Sequence, residues 1–394
     1  MKISNELPAG NIRVLDIREG TVLLEQEQRD SREEWFYWKF KALFDGPGVW
    51  HFKFRQPHKI GTRGPAVSFD RGESWEWRPE PGLSDAEFTF DCREPGEVWF
   101  CQGLPYLQRD WNRFTAEFSG NPALRLSTLC RSRKGRNVEL LELREGTPPL
   151  TAVLTARHHC QEMSASMVLE GCLRYALAGD EGGRAFRRKV ALLAVPFTDK
   201  DGVEEGDQGK SRLPRDHARD YDGNPVYPET AAIWKLIREV KPFLVMDLHS
   251  PWIRGKQHEA PHLVENRNAR FSPELDRFAR LLEAAAPECA PFSASGTLRW
   301  GTAWNTDANY DSRSVSGTGL NLTTACGAFP FVRLAVSLEI PFANFGEKTM
   351  TEKEFLRFGK ALAGAIARYA GGQPFNSANK GTGSSGPHGA ERRA

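Results

Sequence analysis

The hydrophobic periodicity of this chain changes once, near Thr147-Pro148-Pro149, and that single change limits its fold more than any motif does. Upstream, VLLEQE, EEWFYWKFKALF, VWHFKFR, SWEWR, AEFTF and EVWFC are short runs of aromatic and β-branched residues separated by turn clusters such as DGPG, RGES and EPGE. Trp50, Phe52 and Phe54 alternate with His51, Lys53 and Arg55, the period of a strand with one buried face. Residues 12 to about 145 therefore read as β throughout, an antiparallel sandwich whose tryptophans fill its core.

Downstream, strands alternate with helices, the mark of an α/β layer around a mixed, largely parallel sheet. LTAVLTA, KVALLAV, FLVMDL and VRLAVSLEI read as strands. The helices are Glu162 to Leu177, PETAAIWKLIREV, SPELDRFARLLEAAA and a closing TEKEFLRFGKALAGAIARYA. The 394 residues thus divide into a sandwich domain at 1–147, an α/β domain at 148–371 and a Gly/Ser/Pro-rich tail at 372–394 that is too poor in apolar residues to fold.

With 53 Lys+Arg against 51 Asp+Glu the net charge is +2, so no global field draws the chain to nucleic acid or to an anionic membrane. Its seven cysteines are odd in number and form no CxxC pair, which suits reduced thiols in the cytoplasm. No basic start with an apolar stretch behind it opens the chain, and no run of about 18 apolar residues occurs. A cytoplasmic protein with no membrane partner is the expectation.

Two stretches have metal-ligand spacing. HEAPH, His258 to His262, matches a zinc-protease pattern that works only on a helix, where residues four apart share a face. Pro261 removes a helical N–H and disfavours helix at Ala260, so HEAPH reads as a polar loop. The other, His159-Cys160-Gln161-Glu162, sits where a strand becomes a helix and can bring both side chains to one cation through the turn. HxxE alone is common, and a structural histidine beside a capping glutamate would look the same. Ligands of open α/β sheets gather at the carboxyl ends of strands, which directs attention to His249 after FLVMDL and to Glu339 at the end of VRLAVSLE. His159, Glu162 and His249 make a His2Glu set with an open fourth position, a zinc arrangement, and Asp247 stands two residues from His249 as a possible support.

In order along the chain, ARHHCQEMSASMVLEG, DKDGVEEGDQGKSR, PRDHARDY, VMDLHS and SLEIPFAN resemble the conserved segments of the zinc carboxypeptidases, and within them the cytosolic carboxypeptidase branch. EEWFYWKFKA, GLPYLQRDW and CRSRKGRNVELLEL resemble the β-sandwich that precedes the catalytic domain in that branch, so the likeness covers most of residues 30 to 345. It implies one Zn2+ per chain held by His159, Glu162 and His249. It makes Glu339 the general base that takes a proton from zinc-bound water attacking a peptide carbonyl. Arg219 would clamp the substrate's C-terminal carboxylate, and a cation in GKSR, Arg212 ahead of Lys210, would stabilise the oxyanion.

One position departs from the family. Where it has Asn before that arginine, this chain has Ala218, which removes a hydrogen-bonding group from the carboxylate pocket; His217 is a possible substitute. Tyr310 is the candidate for the family's substrate-capping tyrosine, His158 reads as a support or structural residue, and Cys160 as a packed thiol. The implied activity is removal of C-terminal residues from peptides or protein tails, acidic tails among them, for which Arg299, Arg313 and Arg333 are available cations. Two other functions compete: a zinc amidohydrolase of the aspartoacylase or desuccinylase kind, and a catalytically silent peptide-binding module whose support is Ala218.

Overall fold

The structure, a computed structural model, describes residues 1–79, 84–310 and 320–372. Arg313 and almost all of the 372–394 segment therefore lie outside the described residues.

The first part is built from two sheets. A five-stranded sheet runs in the order Lys2–Ser4, Lys39–Phe44, Gly96–Cys101, Ala66–Ser68, Glu76–Trp77, and a four-stranded one in the order Arg13–Arg18, Thr21–Glu25, Gly48–Phe54, Glu87–Cys92. The period-two pattern is what closes them on one another. Phe52 and Phe54 face inward, Phe52 lies opposite Phe88 in the ladder with ring centroids 4.8 Å apart, and Trp38, Phe40, Phe90 and Phe100 complete a largely aromatic core. Most pairings are antiparallel, but Thr21–Glu25 runs parallel to Gly48–Phe54.

Two features upstream of 147 differ from the all-β reading. Gln108–Glu117 is a helix, with Trp111, Phe114 and Thr115 buried at helical spacing and the Asp110 carboxylate accepting from the Leu107 N–H at 2.8 Å. Strands Leu124–Arg131 and Asn137–Leu143 are a hairpin, as alternation suggests, yet Leu141 pairs with Ala194, so the hairpin extends the large sheet of the second part. Alternation identifies a strand but not the sheet that receives it.

That large sheet has seven strands in the order Leu124–Arg131, Asn137–Leu143, Val190–Val195, Leu150–Ala156, Leu244–His249, Leu334–Glu339, His262–Val264. The middle four are mutually parallel and wholly apolar over most of their length, which fits a sheet covered on both faces. Helices Met163–Leu177, Pro228–Val240, Ser272–Ala285 and Glu352–Ala370 match the sequence reading, and Glu181–Lys189 is an additional short helix capped by Asp180. Because the four strands run the same way, His159, His249 and Glu339 all arrive at one edge, with His249 directly opposite Glu339 in register.

The helix carrying the HxxE turn is held by an unusually close crossing. A Cβ on Gly171 would stand 2.2 Å from the Leu356 carbonyl oxygen, and one on Gly359 would stand 2.1 Å from that of Val168, so the Met163–Leu177 and Glu352–Ala370 helices touch backbone to backbone. Gly359→Ala is expected to force them apart and lower stability by about 1–3 kcal/mol, read as a reduced urea midpoint with an unchanged slope.

Candidate active site

The turn after the Leu150–Ala156 strand is set by a buried arginine. Arg157 adopts φ +63, a left-handed conformation that costs a side-chain-bearing residue about 1–2 kcal/mol. Its guanidinium offsets this by donating to the Cys160 carbonyl at 2.6 Å, the Tyr106 carbonyl at 2.8 Å and the Ser166 hydroxyl at 3.1 Å. The loop is pinned as a result. His159 turns outward, and Glu162 sits just before the helix, at its cap position rather than in its first turn, with no backbone N–H on its carboxylate.

Both Glu162 oxygens are instead directed at histidines. His159 Nδ1 lies 2.7 Å from Oε1 and His249 Nδ1 lies 2.9 Å from Oε2, and ligand atoms from the three residues all fall within 4.8 Å of one another. The far nitrogen of each ring is tied to a further carboxylate: His159 Nε2 to Asp216 Oδ1 at 3.1 Å and His249 Nε2 to Asp247 Oδ2 at 2.7 Å. Carboxylates there hold each imidazole with Nδ1 facing inward, the support that metal-ligating histidines ordinarily have. A donor set of two imidazoles and one carboxylate fits Zn2+.

The electrostatics are those of charges taken out of water and matched. Burial alone would raise the Glu162 carboxyl, but the charges and N–H groups of His159 and His249 outweigh it and hold it well below the usual carboxylate range. Burial would lower His249, yet Asp247 and Glu162 carry it well above an ordinary histidine. Glu339 differs: burial lifts its carboxyl, Glu162 adds to the rise, and His249, His262 and Lys210 only partly oppose it. Its Oε2 is buried without a hydrogen-bond partner among the described residues.

These groups open onto a cavity of about 400 Å³. Ala218, Arg219 and Tyr310 line one part of it, with the Arg219 guanidinium 4.2 Å from the centre of the Tyr310 ring and its Nη1 buried without a hydrogen-bond partner among the described residues. Burial pushes the Tyr310 phenol up to about 12 in spite of the arginine. Trp35 and Phe36, from the sandwich part, and Trp252 form another wall, their rings meeting edge to face. HEAPH is not a helix: Lys256–His258 is a 3-10 turn, His262–Val264 is a strand beside Glu339, and His258 only borders the cavity.

Arg212, expected from the sequence as the cation facing the reacting carbonyl, does not reach the cavity. It is enclosed by Asp199 at 2.9 Å, Asp207 at 3.0 Å and Asp30 at 3.3 Å, a buried cluster that joins the two parts of the chain. Lys210 lines the cavity in its place. The intervening backbone explains the switch: Gly209 has φ +78, and a Cβ there would lie 2.4 Å from the Cys160 N, so the loop hugs the HxxE turn and presents the residue that follows it. Asp216 was not singled out in the sequence. It sits at the head of the RDHARDY element, with its carboxylate also accepting from the Ala218 N–H at 2.8 Å and the Ser211 N–H at 3.0 Å. Arg299 pairs with Asp276 at 2.6 Å and Arg333 with Glu274 at 3.1 Å, and neither lines the cavity.

The architecture has known counterparts. A metallo-carboxypeptidase from Pseudomonas aeruginosa, solved in complex with (2-guanidinoethylmercapto)succinic acid, superposes with a TM-score of 0.75 over 93% of this chain and 98% of its own, at 19% identity. One from Burkholderia cenocepacia gives 0.74 over 93% and 98%, at 17% identity. The fold is that of the metallo-carboxypeptidases. In sequence, this metallo-carboxypeptidase-fold chain is similar to cytosolic carboxypeptidase 2 of Xenopus tropicalis, 27% identical over 185 residues, 42% of this chain and 19% of that protein. Cytosolic carboxypeptidase 6 of Caenorhabditis elegans is 23% identical over 305 residues, 64% of this chain and 66% of that protein. No family model matches. The chain spans about a fifth of the length of the first curated relatives it matches. Among the described residues, no helix is long and apolar enough to cross a membrane.

Arg212 thereby becomes a stability residue. Arg212→Ala leaves three buried carboxylates without their cation and is expected to cost about 3–5 kcal/mol in chemical denaturation, whereas Lys210→Ala is expected to leave the unfolding midpoint nearly unchanged.

Proposed function

We propose that the chain is a zinc metallocarboxypeptidase that removes C-terminal residues from peptides or protein tails in a cytoplasmic setting. The observation that carries this reading is the pairing, across one cavity, of the His159–Glu162–His249 cluster with two buried groups that lack partners, Glu339 Oε2 and Arg219 Nη1. An exopeptidase needs a carboxylate base beside the reacting carbonyl and a fixed cation for the free terminus; of the unpartnered buried atoms on the described cavity wall, which include Trp35 Nε1, Gln161 Oε1 and His258 Nδ1, Glu339 Oε2 and Arg219 Nη1 are the carboxylate and the guanidinium. A zinc ion held by His159, Glu162 and His249 would acidify water and polarise the carbonyl.

The roles of this chain's own groups follow from their places. Glu339, lifted by burial, accepts a proton at its unpartnered Oε2 and returns it to the departing amine. Arg219, held over the Tyr310 ring, receives the terminal carboxylate, and the Ala218 methyl leaves room beside it. Lys210 supplies positive charge where the carbonyl oxygen becomes anionic. Besides Arg219, Lys210 is the lysine or arginine among the described cavity-lining residues, so a preference for acidic tails rests on Lys210 alone. Seven free thiols suit the reducing compartment.

Purified protein is expected to carry one zinc, lost in His249→Ala, and to cleave peptides with free but not amidated C-termini. Glu339→Gln should keep metal and fold while losing about 10²–10⁴-fold in kcat, as measured on a chromogenic peptide. Turnover within a few-fold of the parent would remove Glu339 from the role of base. Ala218→Asn should raise kcat/KM roughly tenfold on free-terminus peptides only, if the added hydrogen bond contributes about 1.4 kcal/mol. Equal cleavage of amidated peptides would point instead to a deacylase or amidase with the same metal set.

A further inference from the structure

The two adjacent histidines of the HxxE turn part company in the structure. His159 faces the cavity, while His158 points into the core and is fully buried. Neither of its nitrogens is left over. Nε2 lies 2.7 Å from the Tyr221 hydroxyl and Nδ1 lies 2.8 Å from Asp247 Oδ1, the same carboxylate whose other oxygen, Oδ2, holds His249 Nε2 at 2.7 Å. We propose that His158 is a positioning residue for the metal site, the centre of a buried Tyr221–His158–Asp247–His249 relay that fixes which nitrogen of His249 is presented to a cation. The proposal rests on reading His159, Glu162 and His249 as a zinc site.

The direction of each hydrogen bond follows from what each group can give. Tyr221 is buried among groups that keep its phenol protonated, so its O–H donates to Nε2. His158, accepting on Nε2, carries a hydrogen on Nδ1 and donates it to Asp247 Oδ1. Thr155 Oγ1 donates to that same oxygen from 2.7 Å, so two donors meet on Oδ1 and restrain the carboxylate. Oδ2 is left as an acceptor, which requires the hydrogen of His249 to sit on Nε2. Once a cation replaces the proton that Nδ1 otherwise directs at Glu162, the lone pair is thereby placed on Nδ1.

The second ligand histidine is supported by different means. Asp216, behind His159, is tied to two backbone N–H groups, from Ala218 and Ser211, which no side-chain substitution at 158 disturbs. Asp247 is tied instead to the side chains of Thr155 and His158. Loss of the His158 ring removes one of its two restraints while leaving all three metal ligands in the sequence. An apolar residue would fill the space but donate nothing.

Zinc affinity of the full chain, measured by competition with a chromophoric chelator, tests the relay independently of turnover. His158→Leu is expected to weaken zinc binding about 10–100-fold, the usual effect of losing a group that orients a ligand. His158→Asn, whose amide N–H can reach Asp247 Oδ1, should recover affinity to within a few-fold of the parent. Parental affinity in His158→Leu, or an equal loss in both variants, overturns the relay, because the first denies any role and the second assigns it to ring volume. Should His158→Leu not fold, Tyr221→Phe removes only the terminal O–H and is expected to bind several-fold more weakly; unchanged affinity there overturns the proposal as well. A parent chain that binds no zinc at all instead defeats the reading of the metal site itself.

Discussion

The register between two parallel strands governs everything at the site. Because Leu244–His249 and Leu334–Glu339 pair with His249 opposite Glu339, a histidine and a carboxylate arrive side by side at the sheet edge without any loop having to find its place. Leu150–Ala156 on the other flank brings Asp247 opposite Thr155 and delivers the HxxE turn to the same edge. A slip of one residue in either pairing would turn His249 and Asp247 to the opposite faces, since side chains alternate along a strand. The apolar parallel strands that forbid such a slip are therefore part of the chemistry as much as of the core.

The site is also a problem in charge burial. Glu162, Asp216, Asp247 and Glu339 are all nearly inaccessible to water, and isolated carboxylates in such surroundings would take up protons. Three of the four escape because imidazoles meet them directly: Glu162 lies against His159 and His249, Asp216 against His159, and Asp247 against His158 and His249. Glu339 alone has an oxygen without a partner, which leaves it the most basic of the set. The same logic accounts for Arg212, a cation enclosed by three aspartates at the seam between the sandwich and the α/β part. Breaking such a cluster costs more than it contributes, because the remaining charges stay buried.

Much of this was legible in the residues. The change of period at 147 separated an aromatic β part from an alternating one, and the strand-end positions of His159, His249 and Glu339 followed from where apolar runs stop. The large-sheet hairpin was misassigned because its alternation is the same in either sheet, and the Gln108–Glu117 helix was hidden among strand-like neighbours. The choice between Arg212 and Lys210 could not be made from spacing. It depends on a left-handed glycine packed against Cys160 and on Asp30, which is distant in sequence. Asp216 and Tyr221 were invisible for the same reason, and His158, read as a support or structural residue, had no partner in the sequence: hydrogen bonds that span tens of residues leave no local signature.

Trp35 and Phe36 come from the sandwich, yet they close the cavity that His249 and Glu339 open into. Any molecule that fills this space touches both parts of the chain at once. Its binding free energy is then shared across the seam, and by mass action an occupied cavity opposes the separation of the two parts as well as the unfolding of either. The sandwich is in this sense half of a clamp whose grip depends on what it holds, so proteolysis near the seam should report on occupancy as directly as any assay of turnover.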